Sequence, residues 1–196
     1  RDPNERFTED SLRILRGIRF ASRLGFSIDP QVYSAMTAHC DKIANISIER
    51  INIELSKILT SNNPDIGMKL LNDIGILSKF LSPITFNEKI PKNKDLETIL
   101  ASLLYDKDNY IDFLVKLKYT NKQIRNISFM INLINDLLEN KVDDESSYIK
   151  FMSKIVNYQF MNKDEIISKL LSIDLVKERF DYENLKLIEV IPRKEL

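Results

Sequence analysis

The chain has 196 residues, 43% apolar and 30% charged, enough for one large domain or two to three small helical ones and too apolar for global disorder. Twenty-nine Lys plus Arg balance twenty-nine Asp plus Glu, so any nucleic-acid role must rest on local patches and not on a global basic field. One cysteine (Cys40), one histidine (His39) and four glycines exclude a disulfide framework, a Cys-based zinc site, a histidine triad and a glycine-rich phosphate loop. No run of about 18 apolar residues is present, and no signal-like segment opens the chain. A soluble protein of a reducing, cytoplasmic compartment is expected. The first residue is Arg1, in a stretch that reads like mid-protein sequence, so a further N-terminal segment is expected as well.

In chain order, Thr8 is a plausible N-cap with Glu9 and Asp10 in the first turn of a helix running to Gly25, a natural C′ glycine. Its apolar positions, from Leu12 to Leu24, occupy more than one stripe and predict packing on two sides. Asp29-Pro30 opens a second helix over 31–42. Ser47 opens a third, with Ile48, Ile51, Leu55, Ile58 and Leu59 on its apolar face. Asn62-Asn63-Pro64-Asp65 is a strong breaker. Beyond it the pattern predicts helices at 66–74 and 76–81, a loop over 82–94, and helices near 95–105, 108–118, 121–140, 146–160, 163–172 and 182–190, with Asp143-Asp144-Glu145 breaking the longer pair. No strand alternation and no fixed repeat is present. The fold class is all-α, an elongated multi-helix array divided as 1–62, 63–140 and 141–196.

Basic residues are distributed unevenly. Seven of the ten Arg (Arg1, Arg6, Arg13, Arg16, Arg19, Arg23, Arg50) but one of the nineteen Lys (Lys42) fall within residues 1–50. Retaining guanidinium in a chain that otherwise prefers Lys suggests planar, multi-donor recognition. Structural ion pairs to Glu9, Asp10 and Glu49 are an equally open explanation. On a helix, Glu9, Arg13 and Arg16 share one broad face, with Asp10 on its edge. A carboxylate one turn from a guanidinium offers an acceptor beside a fork of donors, the complement of cytosine or adenine. In both bases an amino group neighbours a ring acceptor. Uracil and guanine place a carbonyl opposite the carboxylate and leave polar groups unpaired. Arg16 and Arg19, further along, can reach a triphosphate. Spacing alone does not separate this from ordinary helix ion pairs.

The run Asp2-Pro3, Arg6-Phe7, Glu9-Asp10, Leu12-Arg13, Leu15-Arg16, Arg19-Phe20-Ala21 and Leu24-Gly25-Phe26 resembles the neck motif of class II CCA-adding tRNA nucleotidyltransferases, which bacterial poly(A) polymerases share. Ile46-Ser47-Ile48-Glu49-Arg50-Ile51 with Glu54-Leu55 is similar to the family's next motif. The likeness covers about residues 1–60; residues 64–196 fit the helical body and tail in length and type only. It implies that Asp10 and Arg13 form an amino-acid template for the base of CTP or ATP. Arg16 and Arg19 would support the nucleotide, and Glu49 and Arg50, with Glu9 nearby, would brace the neck. It also implies a tRNA partner and a catalytic head, absent from these residues, that carries the Gly-Ser motif and the paired Asp residues binding Mg²⁺. These 196 residues would then hold no catalytic or metal-binding residue and would be inactive alone. CCA addition and poly(A) addition both remain open; the Leu24–Asp29 continuation and the absence of a basic C-terminal extension lean to the former. A helical RNA-binding or structural module without activity is the alternative of another class.

Elsewhere, Lys150, Lys154, Lys163, Lys169, Lys177 and Lys186 are interleaved with acids and read as a solvated surface. Tyr105, Tyr110, Phe113, Tyr119 and Phe129 read as core, and His39 and Cys40 as ordinary packing or surface residues. The sequence leaves the oligomeric state unknown.

Overall fold

The computed structural model describes residues 2–87, 89–139, 142 and 145–179. The first helix, α1 (Pro3–Glu9), starts where Asp2 Oδ1 accepts the Asn4 N–H at 2.9 Å and Pro3 supplies a pre-set φ. It stops at Asp10, whose backbone is extended (φ −149°, ψ 98°), and α2 (Leu12–Leu24) begins two residues later. The single helix expected from Thr8 to Gly25 is therefore two. The cause is local: the Asp10 carboxylate accepts the Leu12 N–H at 3.1 Å and outcompetes the helical ladder there. Gly25, at φ 73°, closes α2 in the left-handed region.

Asp29 accepts from Gln31 and Val32 to start α3 (Pro30–His39), which passes into a 3₁₀ turn (Cys40–Asn45). Then follow α4 (Ile48–Leu59), α5 (Pro64–Asp73) and α6 (Ile76–Phe80). A loop over 82–94, which buries Ile84 and Ile90, leads to α7 (Leu96–Leu104) and α8 (Tyr110–Lys116). The longest helix, α9 (Asn121–Leu138), opens with a capping box between Thr120 and Gln123. It is followed by α10 (Glu145–Val156), α11 (Lys163–Leu171) and α12 (Asp174–Arg179), the last not foreseen from the sequence. Every described element is helical, as expected of an all-α chain. The expected 182–190 helix, Lys186, Asp143 and Asp144 lie outside the described residues; Glu145 opens α10.

Helix α2 is packed on two sides, by α4 and by α5, while α1 rests mainly on α3. Its Ile14, Leu15 and Ile18 are buried, whereas Phe20 and Leu24 are about half exposed and leave the expected core stripe. The core continues without interruption through Ile99, Leu114, Ile134 and Ile166. Phe113 and Tyr119 are buried in it, and Tyr105, Tyr110 and Phe129 pack against it. The Asn62–Asp65 breaker turns the chain so that α5 returns onto α2. Asn63 donates twice to Ser22 O (3.0 and 3.1 Å), and the Ser22 hydroxyl donates to Asn63 O at 2.8 Å beside Ser61. Gly67 sits at the closest approach: a Cβ there would strike Ile58 Cγ2 and come within 2.8 Å of Ser22 Oγ. Ile58 and Ser22 are fully buried and have nowhere to go. Gly67→Ala is therefore expected to destabilise the chain by about 1–3 kcal/mol in a denaturant melt, despite alanine's better helix propensity.

Candidate functional site

Five of the seven arginines of the first fifty residues come together on one surface, built by the α1–α2 junction, the outer side of α2 and the start of α4. Glu9, the last residue of α1, and Arg13, in the first turn of α2, meet across the break: Arg13 Nη1 donates to Glu9 Oε2 at 2.8 Å and to Arg6 O at 3.0 Å. Arg6 Nη1 adds a second contact to the same carboxylate oxygen at 3.3 Å. The Arg13 hydrogen bond, reinforced by the charges of both arginines, holds the Glu9 carboxyl below its ordinary pKa, although Glu9 itself is exposed.

Asp10 is arranged differently. Its Oδ1 accepts from the Leu12 backbone, and its guanidinium neighbours are Arg16 at 3.9 Å and Arg50 at 3.8 Å, on α2 and α4. These are distances of charge attraction and not of hydrogen bonds. Asp10 and Arg13 are thus not paired with each other, and both side chains are about 30% exposed (30% and 29%). A planar group approaching this surface meets an acceptor and a fork of donors without first having to break a bond between them. Glu49 is exposed at the first turn of α4, beside Arg50.

Beneath this surface lies a residue that the sequence reading quoted in a motif but assigned no role. Glu54, its side chain 5% exposed, accepts a hydrogen bond from Arg19 Nη1 on Oε1 at 3.4 Å, while the same nitrogen lies 3.2 Å from Oε2 as an ion-pair contact and Arg16 Nε lies 4.0 Å from Oε1. The signal was available in the helical register: positions 51, 54, 55 and 58 form the buried stripe of α4, and a glutamate inside such a stripe calls for a cation. Arg19 in turn lies over the Phe20 ring at 4.7 Å. Five guanidiniums (Arg6, Arg13, Arg16, Arg19, Arg50) face three carboxylates (Glu9, Asp10, Glu54), which leaves the surface with an excess of positive charge. Among the described residues no three His, Cys, Asp or Glu side chains converge as a metal-binding group. No helix of the described residues is long and apolar enough to cross a membrane.

Comparisons with known proteins identify relatives of the chain. Residues 25–87 match the family described as "Probable RNA and SrmB-binding site of polymerase A". The CCA-adding enzyme of Levilactobacillus brevis is 45% identical over 102 residues, covering 52% of this chain and 24% of that protein. The CCA-adding enzyme of Staphylococcus aureus is 31% identical over 181 residues, 88% of this chain and 42% of that protein. The chain belongs to the CCA-adding enzyme family. It spans less than half the length of these CCA-adding enzymes. A solved structure titled "tRNA-processing enzyme (apo form 2)" shares the fold with a TM-score of 0.60 at 17% identity, over 88% of this chain and 55% of that one. The family match begins at Gly25, directly after α2, and takes in α3 to α6.

Three outcomes follow from this geometry. Because Glu9 is depressed in the folded state, its share of stability is present above the ordinary glutamate pKa and is lost as pH falls through the depressed value. In a carboxyl NMR titration Glu9 should titrate below 4.5, and Arg13→Ala should return it to the usual range. Glu54→Ala should cost about 1–3 kcal/mol in a thermal or denaturant melt, less than for a fully enclosed pair because Arg19 reaches solvent. Removing the exposed Glu49 should change stability by no more than about 0.5 kcal/mol.

Proposed function

We propose that this chain is the base-selecting and RNA-binding portion of a tRNA nucleotidyltransferase that adds CMP and AMP to the tRNA 3′ end. It corresponds on this reading to the neck (1–62), body (63–140) and tail (141–196) of the enzyme, located in the cytoplasm. The observation that carries the reading is the α1–α2 junction, where the side chains of Asp10 and Arg13, three residues apart, are both partly exposed on a surface of excess positive charge and are not paired with each other. The Asp10 carboxylate would accept the exocyclic amino group of cytosine or adenine. Arg13 would exchange its Glu9 partner for the ring acceptors of the base, with Glu9 keeping the guanidinium oriented until the nucleotide arrives. Arg16 and Arg19, set by Glu54, would face the phosphates of CTP or ATP, and Glu49 and Arg50 would brace α4 against the junction.

Nucleotidyl transfer itself is assigned to a head domain outside these residues, whose carboxylates would bind Mg²⁺. No step of that chemistry is derived from this chain, and the 196 residues alone are expected to incorporate no nucleotide. The names of the matched relatives support CCA addition. The description of the family over residues 25–87 names polymerase A and keeps addition of AMP alone as a second reading.

The decisive measurement is incorporation by the full-length protein on tRNA lacking its 3′ end. CMP incorporation with CTP alone is expected, and a protein that ignores CTP is a poly(A) polymerase. Arg13→Ala in that protein should lower the preference for C and A over U and G by about 10- to 100-fold, the worth of a lost two-bond base contact. Unchanged preference would remove Arg13 from the role given to it.

A further inference from the structure

The first turns of α7, α9 and α11 border a cleft of about 410 Å³, far in sequence from the α1–α2 junction. Its carboxylates do not mark it as a cation site. Asp95 caps α7, with Oδ2 accepting the Thr98 N–H at 2.8 Å, and Glu97 and Glu165 stand in the first turns of α7 and α11, where acids offset the helix ends. The place of an ammonium among them is already filled by Lys169, which lies 3.3 Å from Asp95, 3.1 Å from Glu165 and 3.9 Å from Glu97. A phosphate placed among Asp95, Glu97 and Glu165 would be repelled by them.

What remains suits a flat, uncharged heterocycle. Phe160 borders the cleft and is 43% exposed as a residue. The ring is held in place by the Arg125 guanidinium 3.6 Å above its centroid and by the edge of Tyr158, itself stacked on Phe129 at 3.7 Å. The polar edge is equally fixed. Asn126, 3% exposed, donates to Glu97 Oε2 at 3.0 Å and accepts from the Tyr158 hydroxyl at 2.8 Å. Gln123 Oε1 is occupied by the Thr120 backbone and hydroxyl at 3.0 and 2.9 Å. Glu97 Oε1 and Gln123 Nε2 are left as one acceptor and one donor with no hydrogen-bond partner among the described residues. Burial pushes the Glu97 carboxyl up, as for an acceptor whose water has been partly removed. Lys122, also bordering the cleft, makes no ion pair within 4 Å among the described residues.

We propose that this cleft receives one unpaired nucleotide of the RNA partner, its base against Phe160, its edge on Glu97 and Gln123, and its phosphate beside Lys122. The proposal rests on the RNA-binding reading above. Every base presents a neighbouring donor and acceptor, so the cleft recognises an unstacked position and not a particular letter.

The test is binding of the chain to a tRNA transcript lacking its 3′ CCA, by fluorescence anisotropy over a range of salt, with thermal melts as a fold control. Phe160→Leu, which keeps the apolar bulk and removes the aromatic face, should weaken binding about tenfold with the salt slope unchanged. Gln123→Glu keeps the capping acceptor while replacing the free donor, and should weaken binding even if Phe160→Leu proves unstable. Lys122→Gln should reduce the salt slope by about one. Wild-type affinity in folded Phe160→Leu and Gln123→Glu would overturn the cleft alone, and absence of RNA binding by the unmutated chain would overturn the RNA reading with it. Stabilisation of the wild type by spermidine, lost in Glu97→Gln with RNA affinity unchanged, would identify an ammonium site and also overturn the proposal.

Discussion

A carboxylate placed among Ile51, Leu55 and Ile58 on the inward side of α4 is expensive to desolvate and stable only with a cation in reach. In this chain the cation comes from α2: Arg19 closes the pair at 3.2 Å and Arg16 stands at its outer edge. Glu54 therefore does more than join two helices that would pack through their apolar faces anyway. It fixes the rotation of α2 about its own axis, and with it the direction in which the row Arg13, Arg16, Arg19 points. Turning α2 by one residue would strand the acid under a methyl group and bury a guanidinium without a partner. Apolar contacts tolerate such a slip more readily than a buried ion pair does.

The two proposed recognition surfaces are built on different physics. At the α1–α2 junction, five guanidiniums outnumber three carboxylates, and the surface acts through charge and forked donors. In the cleft between α7, α9 and α11 one ammonium, Lys169, is shared by the three helix-end acids Asp95, Glu97 and Glu165. The accessible features are an aromatic face and two atoms with no hydrogen-bond partner among the described residues. Binding at the first, as proposed, would weaken steeply with salt, whereas in the second only the contact to Lys122 would carry a salt dependence.

Much of the helical order was legible because its signals are short-range. Asp29-Pro30, Gly25 and the Asn62–Asp65 breaker each act within a few residues and each behaves as its chemistry dictates. Asp2-Pro3 carries the same start signal as Asp29-Pro30, so α1 was readable by the same rule. Reading Thr8 as a cap hid it. The break at Asp10 was harder, since an aspartate near a helix start fits both a first-turn acid and a side chain that terminates the preceding helix. Spacing placed Asp10 beside Arg13, whereas the extended backbone at Asp10 turns its carboxylate toward Arg16 and Arg50 and leaves Arg13 to Glu9. The cleft was not legible at all. Its walls come from residues 95–97, 122–126 and 160–165, and no local pattern announces that three helix starts meet.

The interruption between α1 and α2 has a mechanical meaning. Glu9 rides on a helix whose main support is α3, reached in part through the 3.2 Å contact of Asn4 with His39, while Arg13 is anchored to the block formed by α2, α4 and α5. Acid and guanidinium are thus mounted on separate supports with an extended residue as the joint. A small tilt of α3 changes the gap between them without disturbing the helix that carries the arginines. On the reading proposed above, the fit of a base at the junction would then depend on how α1 is seated on α3 as well as on α2 itself.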